Sequence, residues 1–176
     1  MNTSGNWKNK RMVLQLILPL VVLSLVALNS CSMNGKYIEQ PKGPRGLCSL
    51  VINNNYDHDI VVKLYDVKNP NVTLHFFYVS SKSTATIAGI APGNLMMRYS
   101  KGSDWDSKQK MFLHDRSNYE SDQIFKFEET ETETKTSDGI YKERHYSVQQ
   151  YTLNASSGEG NATVSPIDDK EFNDKK

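Results

Sequence analysis

The residues able to do chemistry in this chain are few and scattered. Asp57-His58-Asp59 groups three ligating side chains, but neighbours on an extended chain point to opposite faces, and no second ligand pair follows at a metal-binding spacing. It reads as a solvated turn. His75, His114 and His145 stand alone, with no H-x-x-x-H or C-x-x-C spacing among them, so neither a metal nor a cofactor is expected. A serine hydrolase would need a nucleophile on a strained turn, and the chain has no G-x-S-x-G. A nucleotide would need a glycine cradle, and neither G-x-x-x-x-G-K nor G-x-G-x-x-G occurs. No pair of carboxylates is singled out for work on a sugar. The best recognition candidate is Asp104-Trp105-Asp106. An indole flanked by carboxylates can stack on a sugar or enter a partner pocket while the acids take hydrogen bonds. The plainer and favoured reading has Trp105 closing one end of the fold.

Two thiols remain, Cys31 and Cys48. Cys48, beside Leu47, Leu50 and Ile52, has the setting of a small buried apolar residue rather than a reactive one. Were Cys31 unmodified, a bridge between the two would be open in an oxidising compartment. Cys31 itself ends a leader: Lys8, Lys10 and Arg11 precede an apolar run from Met12 to Leu28, interrupted by Gln15 and Pro19. Those interruptions suit a cleaved export signal better than a permanent span.

Leu28-Asn29-Ser30-Cys31 resembles the lipobox of bacterial lipoproteins, with Leu28, Ser30 and Cys31 fitting and Asn29 departing. The resemblance implies cleavage before Cys31 and acylation there, giving an effectively permanent membrane anchor. Ser32, not being Asp, then implies sorting to the outer membrane, facing the periplasm. Cleavage after Ser32, which places Ser30 and Ser32 at the small-residue positions, and an uncleaved anchor are the alternatives.

Lys and Arg total 21 and Asp and Glu total 20, so there is no cationic surplus to neutralise phosphates, and nucleic acid is not expected as a partner. Residues 1–30 are read as the signal peptide, 31–46 as a flexible tether because Gly and Pro recur there without an apolar period, 47–153 as one domain, and 154–176 as a polar tail.

Within the domain the pattern is β throughout. Cys48 to Asn53 and Ile60 to Asp66 are apolar or alternating runs around a polar turn, and read as a hairpin. Val72 to Val79, Thr84 to Ile90 and Leu95 to Tyr99 follow, the last two joined by an Ala91-Pro92-Gly93-Asn94 turn. Lys101 to Asp122 reads as a long loop carrying one strand, Met111-Phe112-Leu113. Gln123 to Lys135 and Ile140 to Leu153 flank Ser137-Asp138-Gly139 as a hairpin, with Phe125 opposite Tyr151 at its base. Its far end, alternating Glu and Thr, must be solvated, and serves either as a charge-guarded edge or as a projecting contact surface. About seven strands predict a single antiparallel β-sandwich, immunoglobulin-like or transthyretin-like.

Phe77-Tyr78-Val79, Thr86-Ile87-Ala88-Gly89-Ile90-Ala91-Pro92-Gly93 and Gly102-Ser103-Asp104-Trp105-Asp106 resemble a group of uncharacterised bacterial domains, and the Pro-Gly turn is similar to that of carboxypeptidase-regulatory-like modules. That resemblance implies the sandwich and assigns no activity. The expected function is that of a non-enzymatic, lipid-anchored envelope protein with a protein partner, against two alternatives: a carbohydrate-binding module using the Trp105 loop, or an anchored or secreted enzyme acting on envelope polymers. Asn71-Val72-Thr73, Asn154-Ala155-Ser156 and Asn161-Ala162-Thr163 are glycan acceptor patterns, relevant only in a eukaryotic source.

Overall fold

The alternation in residues 48–54 and 83–90 has a direct structural cause: Cys48, Leu50 and Ile52 of one strand and Ala85 and Ile87 of another turn inward, while Thr84, Thr86 and Ala88 face water. A computed structural model describes residues 32–154 and 163–173. The expected signal peptide, Cys31 and part of the expected tail lie outside them. The strands are β1 (Tyr37–Glu39), β2 (Arg45–Asn54), β3 (Asp59–Asp66), β4 (Asn69–Val79), β5 (Ser83–Ile90), β6 (Gly93–Asp106), β7 (Met111–Ser121), β8 (Phe125–Phe127), β9 (Glu129–Thr136), β10 (Gly139–Tyr146), β11 (Val148–Leu153) and β12 (Val164–Ile167), followed by one helical turn, α1 (Asp169–Phe172).

They form an all-β sandwich. The larger sheet has the order β1-β4-β3-β6-β7-β12, with β8 paired to the start of β6; the smaller has the order β11-β2-β5; β9 and β10 pair only with each other. Between the two sheets lies a core of Leu50, Ile52, Ile60, Val62, Leu64, Phe77, Val79, Ile87, Met97, Tyr99 and their neighbours. β3 is covered on both faces, which is why its run reads as continuously apolar: Ile60, Val62 and Leu64 face the smaller sheet, while Val61 joins Phe76, Tyr78, Phe112 and Phe172 in a second cluster on the outer face.

Several connections differ from the sequence-based expectation. β2 and β3 are not a hairpin: β2 pairs with β5 and β11, and β3 with β4 and β6, so the Asn-rich turn carries the chain from one sheet to the other. The corner is held by fully buried Asn54, whose Nδ2 donates to the carbonyls of His58 (3.0 Å) and Ser80 (3.0 Å) and whose Oδ1 accepts the Tyr56 N–H (3.1 Å). Turn residues announce a change of direction without saying whether the strand folds back or crosses over. β11 runs parallel to β2, from Val148 beside Ser49 to Leu153 beside Asn54, inside an otherwise antiparallel fold.

Residues 101–122 form no loop. β6 and β7 are a long hairpin with an irregularity between Lys101 and Ser103, where Asp104 and Asp115 take positive φ (56° and 52°) and break the alternation. Gly102 is needed there, because a Cβ would lie 2.6 Å from Phe112 Cβ. The hairpin expected around Ser137-Asp138-Gly139 is β9–β10; it closes on a two-residue loop, Ser137-Asp138, and its pairing ends at Glu129 and Tyr146. Phe125 and Tyr151 still meet, edge to face at 5.4 Å, but from β8 of one sheet to β11 of the other.

The segments expected as tether and tail are bound in part. Along the β4 edge, Gly35 N–H donates to Tyr78 O (2.8 Å), Tyr78 N–H to Lys36 O (2.9 Å) and Lys42 N–H to Leu74 O (2.8 Å). At the other end β12 pairs with β7, and α1 starts in a capping box: Asp168 accepts the Glu171 N–H while Glu171 accepts that of Asp168. Phe172 is 4% exposed, with the Lys63 ammonium 4.7 Å from its ring centroid and donating to its carbonyl (3.1 Å). These segments are too short to show a period; each supplies only one or two anchoring side chains.

Candidate functional site

Trp105 is neither a free platform nor the plug of an open end. On β6 it lies half-buried on the outer face of the larger sheet, edge to face with Phe112 (5.1 Å), Tyr78 (6.0 Å) and Phe76 (6.4 Å). Its flanking carboxylates do not converge with it. Asp106 caps the β6–β7 turn, accepting the N–H groups of Gln109 (3.0 Å) and Lys108 (2.8 Å), and these bonds hold its carboxyl below the usual range. Asp104 is exposed, 3.6 Å from His114 Nε2. An indole wrapped by three aromatic rings contributes packing, and little of its face is left for stacking on a sugar.

The other sequence candidates are engaged in local contacts. Asp59 accepts from Tyr78 Oη and from the Ser81 N–H (2.7 Å), and Asp57 pairs with Lys82 at 3.0 Å. The Tyr78 phenol is pushed up by burial first and by that carboxylate second. Cys48 is buried, its Sγ donating to the Glu128 carbonyl at 3.3 Å. Among the described residues no group of three His, Cys, Asp or Glu side chains could hold a metal ion, and no helix is long and apolar enough to cross a membrane.

One cleft, of about 220 Å³, opens where residues 42–44, the end of β3, β4 and the Pro92-Gly93 turn meet, with Val72, Leu74, Ile90 and Leu95 among its walls. His75 lines it at 4% exposure, its Nδ1 2.9 Å from Tyr37 Oη, and burial lowers its pKa below the ordinary histidine value. The volume falls below the roughly 300–1,000 Å³ of typical ligand pockets.

The surface that most needs explaining is the arm formed by β9 and β10. Every residue of β10 is exposed, as is every residue of β9 after Glu129. Its root is fixed: Ser147 N–H donates to Glu128 O (3.0 Å), Ser49 N–H to Ser147 O (3.1 Å), and Leu47 N–H to Glu129 Oε2 (3.2 Å). Beyond the root, alternation assigns the two faces. One carries Glu129, Glu131, Glu133 and Lys135 opposite Tyr146, Arg144, Lys142 and Ile140; the other carries Thr130, Thr132, Thr134 and Thr136 opposite His145, Glu143, Tyr141 and Gly139. Lys142 (3.0 Å) and Arg144 (2.7 Å) both reach Glu131, and these bonds hold its carboxyl low. Ile140, Tyr141 and Tyr146 are 59%, 58% and 52% exposed. The sequence points to the arm through its Glu-Thr alternation. Which large apolar residues it leaves in water follows only from the register.

No protein-family model, no curated protein and no solved structure matches the chain.

Proposed function

We propose that this chain is a non-enzymatic, lipid-anchored β-sandwich of a bacterial envelope, acylated at Cys31, that binds a protein partner through the β9–β10 arm. The observation that carries the reading is the exposure of both faces of that arm, sixteen strand residues long, with three large apolar side chains in water. A two-stranded hairpin is marginally stable by itself in water, and solvent-exposed cross-strand ion pairs such as those to Glu131 add little. A partner laid on the arm would supply the burial it lacks. The anchor side of the reading rests on Leu28, Ser30 and Cys31 and the apolar leader before them.

The test uses the full chain in its host's membrane. A photoreactive residue at Tyr141 should give a discrete adduct of reproducible mass, and one at Thr86, on the outer face of the smaller sheet, should not. No adduct at Tyr141 or at Ile140 would overturn the partner-binding reading. Intact mass from the membrane fraction should correspond to cleavage before Cys31 plus acyl chains, and Cys31→Ala should abolish both. An unacylated or uncleaved mass would remove the anchor.

A further inference from the structure

The arm has two free edges, and they differ. The β9 edge presents Glu129, Glu131 and Glu133, whereas β10 carries all of the arm's large exposed apolar residues, with Ile140 and Tyr141 near its start and Tyr146 at its end. A strand whose apolar residues sit at both ends is self-complementary under a two-fold axis through its middle. We propose that the partner of the arm is a second copy of this chain, added antiparallel at the β10 edge on an axis through Glu143, so that two arms form one four-stranded sheet. This inference rests on the reading of the arm as the docking element and names its occupant.

The register follows from residue numbers. Because Thr136 and Gly139 close a two-residue loop, the ladder's alternation turns the backbone groups of Glu143 toward Thr132 and those of Ile140, Lys142, Arg144 and Tyr146 to the free edge. A two-fold through Glu143 sets Lys142 against Arg144 of the second copy and Ile140 against its Tyr146, where these outward groups meet. On the order of eight backbone hydrogen bonds would form. On the charged face the four-strand rows become Glu131, Arg144, Lys142, Glu133 and Glu129, Tyr146, Ile140, Lys135, each neutral. On the threonine face Tyr141 meets His145, an aromatic cross-strand pair. The unfavourable elements are Glu143 facing its own copy and Lys142 facing Arg144 on both sides of the axis; each Glu143 keeps His145 of its own strand at 3.7 Å, and Lys142 and Arg144 both keep Glu131.

The competing pairings fit less well. A two-fold on β9 centred at Thr132 sets Glu131 against Glu133 on both sides of the axis, the same kind of like-charge cost that Lys142 and Arg144 carry on β10, but it brings no apolar pair together to offset it. Pairing β9 with β10 head to tail leaves an edge free at every step and does not close.

Disulfide capture in the full chain tests the axis. Glu143→Cys places its Cβ about 4.5–5.5 Å from its counterpart, close to the 3.5–4.5 Å a disulfide spans. Thr132→Cys, in the same row, lies about 14 Å from its counterpart, three strand spacings away. The first should give at least ~5-fold more covalent dimer than the second. Ile140→Cys should link when co-expressed with Tyr146→Cys and not alone, because six residues of strand hold two copies of position 140 about 20 Å apart. Equal linking at 132 and 143, or linking of Ile140→Cys by itself, would overturn the register. A Tyr141 photoadduct containing a different protein, without linking at 143, would overturn the self-pairing and leave the arm's docking role standing; no adduct of any kind removes both.

Discussion

Phe172→Ala is the sharpest test of how the C-terminal segment is held. The ring is 4% exposed and packs among Val61, Phe76, Tyr78 and Phe112, with the Lys63 ammonium over it at 4.7 Å and over Phe76 at 5.0 Å. Full burial of such a side chain is worth ~1.5–3 kcal/mol, and the cation over its face adds ~0.5–1 kcal/mol. The bonds of Asp169 to Asn118 (2.7 Å) and Arg116, the Arg98 contact with the Glu171 carbonyl (2.9 Å) and the β12 ladder are all independent of the ring. The expected loss is therefore about 2–3 kcal/mol, localised to β12 and α1. Hydrogen exchange at Val164, Ser165 and Ile167 should accelerate by roughly 30- to 150-fold, at about 1.4 kcal/mol per factor of ten, while the β3 amides change far less. Phe172→Leu should recover most of the protection. If Phe172→Ala left β12 exchange unchanged and the denaturation midpoint within ~0.5 kcal/mol of wild type, the aromatic anchor would not be what holds the segment.

Two further outcomes follow from buried polar groups. Asn54→Ala should cost ~2–4 kcal/mol in equilibrium unfolding, since it strands the Tyr56 N–H and the carbonyls of His58 and Ser80 at the sheet corner; a loss below ~0.5 kcal/mol would mean that the corner is held elsewhere. His75 is held neutral by burial, so its folded pKa lies below its unfolded value near 6.5. The unfolded chain then binds more protons, and the stability due to neutral His75 is present above that pH and lost as pH falls through it. Denaturant midpoints should drop between pH 7.5 and 5.0, and less so in His75→Gln; equal drops in both would refute the assignment.

The sheet-forming core was legible because its strands are long and one-faced. Leu50 and Ile52 sit in a short apolar run closed by Asn residues, the Pro92-Gly93 turn names its own geometry, and Gly139 marks the hairpin. What escaped was everything decided by pairing at a distance. Nothing local to Val148–Leu153 says that it lies parallel to β2. The irregularity at Gly102 breaks the period that would have joined 101–106 to β6. Tyr37, Val164 and Phe172 each fix a short segment through one side chain, and a single residue has no period. Asp104-Trp105-Asp106 reads as a recognition motif because sequence shows the indole and its neighbours but not the Phe76, Tyr78 and Phe112 rings packed edge to face with it.

The parallel pairing of β11 with β2 has a kinetic consequence. Asn53 and Thr152 share a side-chain hydrogen bond of 3.2 Å across 99 residues of chain, and β3, β4, β6, β7 and β8 of the larger sheet all lie between them in the chain. The smaller sheet therefore closes only after almost every other strand has been made. Loop closure of that span, about (3/2)RT ln n plus a constant, must be met before any contact along β11 repays it. Folds dominated by such distant pairings reach the native state in milliseconds to seconds rather than microseconds.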